Sequence, residues 1–137
     1  MNRYVYSEKR KGESMLLNCS NHASKNWNPE QLKAAAQWGE IVDYSFPIVP
    51  ATADEADINR MAEDMVKEIK TMQPSAVMCQ GEFTLSYMMI MKLLQSGIKV
   101  VAACSDRQVE ERVLADGNIE KKVVFQFIRF REYRINI

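Results

Sequence analysis

From residue 15 onward, short apolar runs alternate with helical patterns, and this alternation constrains the fold more than any other feature of the sequence. The apolar runs cover residues 15–19, 40–44, 76–80 and 98–103. The helical patterns between them begin at Pro29, Asp54 and Leu85. Strand–helix alternation of this kind predicts a mainly parallel sheet with helices on both faces. We therefore predict an α/β fold, namely a Rossmann-like doubly wound sheet with a parallel core of about four strands.

The alternation of strand and helix patterns ends after Arg107. The string Asp116-Gly117-Asn118 is a turn signal, and it separates two strand-like segments, 109–114 and 123–130. We predict that these two segments form a C-terminal β-hairpin.

The length of 137 residues suits one domain that buries its own core. Residues 1–14 are mostly polar or charged, so we predict an N-terminal extension there and a single Rossmann-like domain over residues 15–137. Two interpretations of the extension stay open. It is either a flexible arm, or it contributes a short edge strand at Tyr4-Val5-Tyr6.

Composition argues against several classes of function. Eighteen basic residues balance eighteen acidic ones, so the formal net charge is zero and no binding of long nucleic acid is expected. The most apolar stretch, 85–94, is too short to cross a membrane and contains Lys92. The first residues lack an apolar leader, which predicts a cytoplasmic protein.

Cysteine and histidine usage argues against a metal site. Cys19, Cys79 and Cys104 lie far apart in apolar runs, which is typical of small core residues in a reducing compartment. His22 is the only histidine, so we predict no zinc site. Neither the glycine-rich dinucleotide signature nor the P-loop signature occurs, and we predict no cofactor.

Polar strings follow three of the predicted strands. They are NCSNH after the first strand, QGEFT after the third and CSDR after the fourth. In open α/β sheets, ligands bind beyond the carboxyl ends of the strands, at the point where the strand order reverses. We predict that the first and third strands are neighbours, so that this reversal falls between NCSNH and QGEFT.

Several residues in these strings suit a phosphate-bearing ligand. Ser20 and Asn21 can donate hydrogen bonds, and Gly81 lets the backbone approach a ligand closely. The start of the helix after Gly81 offers N–H groups to an anion. Arg107 supplies a counter-charge whose planar fork matches phosphate. The complete predicted ligand-binding set is Asn18, Asn21, Gln80, Gly81, Glu82, Thr84 and Ser105.

His22 is the natural candidate for acid–base chemistry near neutral pH, and the competing interpretation is a loop histidine that makes a structural bond. Glu82 is either a base or an acidic residue that suits the start of a helix. Ser20 or Cys19 beside His22 suggests a nucleophile, although neighbours in sequence need not have bonding geometry. We predict His22, Ser20 and Arg107 as the catalytic residues.

The strings MLLNCSNHAS, AVMCQGEFTL, VVAACSDR and FQFIRFREY resemble a group of small bacterial proteins. Their organisation is similar to that of compact, stand-alone CRISPR-associated proteins with a CARF-like fold (CRISPR-associated Rossmann fold). The resemblance covers residues 15–133. It implies a homodimer that binds a cyclic oligoadenylate, the messenger of CRISPR antiviral signalling, across its twofold axis. Some such relatives are ring nucleases, which cleave this messenger without a metal.

The chemistry that the resemblance implies is attack of a ribose 2′-hydroxyl on the adjacent phosphorus. The enzyme then mainly aligns the attack and stabilises the developing charge. Under this interpretation Ser20, Asn21 and His22 would orient the phosphate, and Arg107 would neutralise it. Glu82 or Thr84 would contact the ribose or the base.

Three alternatives to a ring nuclease stay open at this point. They are a non-catalytic sensor or sponge for such a nucleotide, a hydrolase or transferase acting on a phosphorylated metabolite, and an interaction protein without a ligand. We also predict a homodimer, formed through the apolar helix at 85–94 or through the C-terminal hairpin, because that helix has too little polar surface to face water.

Overall fold

Short runs of buried apolar residues form the strands of a mixed sheet. The structure, a computed structural model, describes residues 4–5 and 14–136. The strands in this part of the chain are β1 (Tyr4–Val5), β2 (Met15–Ser20), β3 (Glu40–Tyr44), β4 (Ala76–Gln80), β5 (Val100–Val113) and β6 (Ile119–Glu132). Their order across the sheet is β1-β3-β2-β4-β5-β6. The predicted α/β class, with a mainly parallel core and a C-terminal hairpin, is confirmed.

β2 is the central strand of the parallel core. It pairs in parallel with β3 on one side and with β4 on the other, where Cys19 lies opposite Cys79. β4 in turn pairs in parallel with β5. The predicted adjacency of the first and third core strands is therefore confirmed, and the strand order reverses between β2 and β4.

β1 lies at the edge of the sheet and pairs antiparallel with β3, with Tyr4 opposite Tyr44. Of the two interpretations of the N-terminal extension, the edge strand is confirmed for Tyr4–Val5. The rest of the extension up to residue 13 lies outside the described residues.

In the same part of the chain, three α-helices connect the parallel strands. They are α1 (Pro29–Ala35), α2 (Glu55–Met72) and α3 (Phe83–Gln95). Asn28 caps α1 by accepting a hydrogen bond of 2.9 Å from the backbone N–H of Gln31, as its sequence position predicts. Asp54 and Asp57 form a reciprocal capping box at the start of α2. No helix among the described residues is long and apolar enough to cross a membrane.

Helices lie on both faces of the sheet, and each face has its own core. α2 and α3 cover one face, here called the α2/α3 face, where the core includes Leu17 and Val77. α1 and the 3-10 turn Ala36–Trp38 cover the other, here called the α1 face, where the core includes Leu16 and Met78. Successive residues of β2 and β4 thus point to different cores, as the pleat of a strand requires.

β5 and β6 form a longer hairpin than the sequence predicts. They pair antiparallel from Val101 opposite Glu132 to Val113 opposite Ile119. The expectation that residues 104–107 form a loop is wrong, because these residues continue β5. Most of the hairpin beyond them is exposed to solvent, so a strand there accommodates polar side chains.

A β-bulge interrupts the hairpin between Cys104 and Ser105. Cys104 lies opposite Arg129 and Ser105 lies opposite Phe127, which leaves Ile128 as the extra residue of β6. Because of this extra residue, Phe127 and Phe130, three positions apart, are both buried in the α1-face core. The bulge thus fixes which hairpin side chains point towards α1.

Candidate functional site

A cleft of about 440 Å³ opens on the α1 face at the carboxyl ends of β2 and β4, where the strand order reverses. We call it the strand-end cleft. Its position is where an open α/β sheet is expected to bind a ligand. Five of the predicted site residues line it together, namely Ser20, Asn21, His22, Gln80 and Ser105.

A network of hydrogen bonds below the cleft fixes the segment that follows β2. Asn18 is buried, and its Nδ2 donates to the His22 carbonyl oxygen at 2.7 Å and to Asp43 Oδ1 at 2.9 Å. Asp43, on β3, also accepts hydrogen bonds from the backbone N–H and hydroxyl of Ser24. Trp27 donates its indole N–H to the same His22 carbonyl oxygen at 3.1 Å. The main chain of residues 20–24 is therefore held in one conformation.

This network assigns a structural task to Asn18 and Ser20. The Ser20 hydroxyl donates to Asn18 Oδ1 at 2.7 Å and accepts from the His22 backbone N–H at 3.2 Å. The Ser20 hydroxyl thus bonds to a side-chain amide and to main-chain groups of His22, rather than to the His22 imidazole. The His22 side chain is exposed and lines the cleft, while its main chain anchors the loop.

Gln80 and Ser105 complete the opposite wall of the cleft. Gln80, the last residue of β4, accepts a hydrogen bond of 2.9 Å from the backbone N–H of Ala103 through Oε1. This bond extends the pairing of β4 with β5 beyond their backbone ladder, in which the last paired residues are Met78 and Val101. Ser105 reaches the cleft from within β5 rather than from a loop.

Arg107 lies beside the cleft and is not among the residues that line it. It is exposed, within β5, and directly opposite Phe125, which does line the cleft. Directly opposite residues of an antiparallel pair point to the same face of the sheet. Arg107 therefore stands on the cleft side of the hairpin, two positions beyond Ser105.

Gly81, Glu82 and Thr84 lie outside the strand-end cleft. A side chain at Gly81 would place its Cβ 2.5 Å from ring atoms of Phe46, so the close approach at this glycine is to Phe46. The Glu82 carboxylate caps α3 by accepting hydrogen bonds from the backbone N–H groups of Thr84 and Leu85, both at 2.9 Å. These bonds, that of Leu85 first, hold the pKa of Glu82 below its ordinary value. The geometry favours the helix-start interpretation of Glu82 over the base.

Cys19 lies on the other side of the sheet from the cleft. It is fully buried in the α2/α3-face core beside Cys79. A hydrogen bond with Cys79, together with burial, raises the pKa of the Cys19 thiol well above its ordinary value. A thiol that resists ionisation in the core is no nucleophile, since the thiolate is the reactive form. Among the described residues, no group of three histidine, cysteine or acidic residues lies close enough to hold a metal ion.

Sequence reasoning missed part of the cleft wall. The residues concerned are Asn26, Trp27, Asn28, Gln31, Met78, Ala103 and Phe125. Asn28 carries a helix-start signal and Trp27 reads as a packing residue, so neither pattern points to a ligand. Phe125 is 67% exposed, and its place at the cleft depends on the bulge in a distant hairpin. Asp43 lies in an apolar run, and nothing in the sequence marks it as an anchor.

These features define an α/β protein with a polar cleft at the reversal point of a mainly parallel sheet. Residues 14–131 match the model of the family described as Uncharacterized protein MJ1673 family. Because the match covers most of the 137 residues, the chain belongs to this family. No curated protein matches the sequence.

The buried amide of Asn18 yields a first prediction. Asn18→Ala removes the donors to the His22 carbonyl oxygen and to Asp43, and it also removes the Oδ1 acceptor of the buried Ser20 hydroxyl. We expect a loss of about 2 kcal/mol in the free energy of unfolding, measured by urea denaturation. The matched control is Asn21→Ala, an exposed residue of the same loop, which should change stability by less than about 0.5 kcal/mol. Equal effects of the two substitutions would contradict the network.

The cap at Glu82 yields a prediction of pH dependence. Because the folded-state pKa of Glu82 is lowered, its stabilising effect is present above its ordinary value of 4.5 and is lost as the pH falls through the folded-state value. The Tm of Glu82→Gln should therefore lie below that of the wild type at neutral pH, and the two should converge in acid. A difference in Tm that persists unchanged at pH about 2, where the carboxyl group is protonated, would contradict this role.

Proposed function

We propose that the strand-end cleft binds a nucleotide joined by phosphodiester bonds, in the first instance a cyclic oligoadenylate of CRISPR antiviral signalling, and that the protein cleaves it as a ring nuclease. One observation carries the proposal. A single cleft at the strand-reversal point combines neutral hydrogen-bonding side chains, an exposed histidine and an exposed phenylalanine, with an arginine beside it on the same face. Such a set suits a ligand of alternating phosphates and bases.

The fold that we propose is of the Rossmann-like, doubly wound kind. The support comes from helices on both faces of the parallel strands and from the order reversal between β2 and β4. A cleft at this reversal is the usual ligand position in that class of fold. A CARF-like protein would use the same place.

Each part of the ligand has a matching group in the cleft. Phe125, 67% exposed, offers a ring face to a base, a contact that tolerates any base because every base has a π face. Arg107 offers two parallel N–H donors to a phosphate. The exposed His22 imidazole, on a loop whose main chain is bonded to Asn18 and Trp27, is the candidate acid–base group.

The proposed reaction needs no metal and no second substrate. The His22 imidazole takes the proton of a ribose 2′-hydroxyl, and the 2′-oxygen forms a bond to the adjacent phosphorus. The bond from phosphorus to the 5′-oxygen breaks, and the leaving oxygen receives a proton from the imidazolium. The products are a 2′,3′-cyclic phosphate and a free 5′-hydroxyl, so protons and bonds balance. Arg107 stabilises the charge that gathers on the phosphate oxygens.

The test is incubation of the purified protein with cyclic tetra- and hexa-adenylate in the presence of a chelator, followed by separation of the products. Arg107→Ala should weaken binding about ten- to hundredfold, the range for losing a charge-assisted contact. His22→Ala should lower the single-turnover rate about 10²- to 10⁴-fold with little change in binding.

The matched control for Arg107 is Arg112→Ala, since Arg112 lies on the same strand but on the opposite face of the hairpin. It should leave both binding and cleavage unchanged. If the cyclic oligoadenylate binds but is not cleaved, the protein is a sensor or sponge for the nucleotide rather than a ring nuclease. Absence of any interaction with either ring would remove the nucleotide proposal, and so would Arg107→Ala that binds as the wild type does.

We further propose that the protein is a homodimer formed through the hairpin. Beyond the bulge, the α1-side face of the hairpin carries two apolar cross-strand pairs, Val109 with Val123 and Val113 with Ile119. All four side chains are largely exposed, Val113 by 73%. A two-stranded hairpin is marginally stable on its own in water, so a cover on this apolar face would stabilise it.

A homodimer formed through this hairpin face fits the structure better than a homodimer formed through α3. Glu111 and Lys121 form an ion pair of 3.8 Å on the same face. In a twofold dimer, Glu111 of one protomer would face Lys121 of the other, so opposite charges would meet. α3 instead buries Leu85, Met89 and Leu93 in the core of its own protomer. The apolar face also continues into the strand-end cleft through Phe125, so a partner there would border the ligand.

The dimer is tested by Ile119→Lys, which puts a charge into the apolar face at the cross-strand pair nearest the turn. Light scattering at micromolar concentration should show a dimer for the wild type and a monomer for this variant. The matched control is Gln108→Lys, on the opposite face of the same hairpin, which should remain dimeric. A monomeric wild type, or an Ile119→Lys variant that stays dimeric, would refute the interface.

A further inference from the structure

A second cleft, of about 410 Å³, lies at the other end of the parallel strands. We call it the basic cleft, because Lys99, Arg129, Arg131 and Arg134 all line it. Lys99 immediately precedes β5, whereas the three arginines lie on β6 or just after it. Trp38, in the turn that precedes β3, also lines it. The basic cleft therefore marks the amino ends of strands whose carboxyl ends form the strand-end cleft.

The positive charge of the basic cleft is largely uncompensated. Among the described residues that line it, Glu132 is the one acid, and it pairs with Arg134 at 3.6 Å. Arg129 donates its Nε–H to the carbonyl oxygen of Phe130 at 3.1 Å, a bond that orients the guanidinium without neutralising it. Lys99 and Arg131 have no carboxylate at ion-pair distance in the described part of the chain. In a chain of zero formal charge, this concentration is a local and specific feature.

Packed aromatic rings form one wall of the basic cleft. Trp38 and Phe130 meet edge to face with ring centroids 5.3 Å apart, and Phe130 also packs on Phe127 at 5.0 Å. Two of the cations adjoin this aromatic wall on strand backbone, since Lys99 immediately precedes β5 and Arg131 follows Phe130 in β6. Cations held at fixed spacing repel one another, and a multivalent anion between them removes that repulsion.

We propose that the basic cleft is an anion site for a short, multivalent phosphate-bearing ligand, such as the oligophosphate chain of a nucleotide or an inorganic oligophosphate. Guanidinium groups bind phosphate oxygens through paired N–H donors, so several arginines favour phosphate over a single carboxylate. The volume of the cleft is that of a small-molecule site. The site is separate from the proposed nucleotide cleft, and neither depends on the other.

The test is calorimetric titration of the purified protein with inorganic tripolyphosphate, orthophosphate and ATP. Tripolyphosphate should bind at least tenfold more tightly than orthophosphate, because it presents more charge to the same cations. Arg131→Ala and Lys99→Ala should each weaken tripolyphosphate binding about tenfold, which corresponds to about 1.4 kcal/mol. Arg131→Lys should give an intermediate loss, since it keeps the charge and removes the fork.

Two controls locate the binding. Arg112→Ala removes an exposed arginine of the hairpin and should not change the affinity for tripolyphosphate. Arg107→Ala, beside the strand-end cleft, should not change it either, which separates this site from the proposed function. ATP that binds more tightly than tripolyphosphate indicates a nucleotide as the source of the phosphates, and equal affinity indicates the oligophosphate chain alone.

Three results would overturn the proposal. The first is no binding of tripolyphosphate at millimolar concentration. The second is unchanged affinity in Arg131→Ala and Lys99→Ala when circular dichroism shows both variants to be folded. The third is single-stranded RNA that binds more tightly than tripolyphosphate and is displaced by it, because the ligand would then be a nucleic acid.

Discussion

Strand β2 is buried along its whole length and is flanked on both sides by parallel neighbours, and the rest of the structure is arranged around this pairing. Because its residues alternate between two cores, β2 requires helices on both faces of the sheet. The chain passes from β2 to β3 on one side of the sheet and from β4 to β5 on the other. The connections that follow β2 and β4 therefore diverge at the carboxyl ends of these two strands. The strand-end cleft is the space between these diverging connections.

The same burial explains why the cleft has a fixed floor. Asn18 follows Leu16 on the α1 face of β2, one pleat before the strand ends, and is buried. A buried amide without partners would cost several kcal/mol, of order 2–7 by transfer measurements. Its donors are satisfied by Asp43 on the next strand and by the main chain of His22. One polar residue in an apolar strand thus sets the course of the loop that carries the candidate acid–base group.

Local patterns were sufficient for the parallel core. Apolar runs bounded by polar strings locate β2, β3 and β4 almost to the residue, whereas β5 begins at Val100 and continues well beyond the predicted end at residue 103. The length of the hairpin could not be read in this way. Residues 104–107 are polar and look like a loop, and they become a strand through pairing with β6, a contact between segments far apart in the chain. The position of Phe125 at the cleft and of Arg107 beside it depends on that pairing.

The task of Glu82 was also ambiguous in the sequence, because a carboxylate at a helix start serves either a cap or a reaction. The hydrogen-bond distances show that Glu82 caps the helix.

The basic cleft could not be predicted from the sequence for a different reason, since the excess of basic residues near the C-terminus is typical of a solvent-exposed strand. Phe130 lines this cleft and packs on Trp27 with ring centroids 6.2 Å apart and on Trp38 at 5.3 Å, contacts between segments far apart in the chain. Trp27 lines the strand-end cleft and Trp38 lines the basic cleft. The packed rings of Trp27, Phe130 and Trp38 therefore lie between the two clefts.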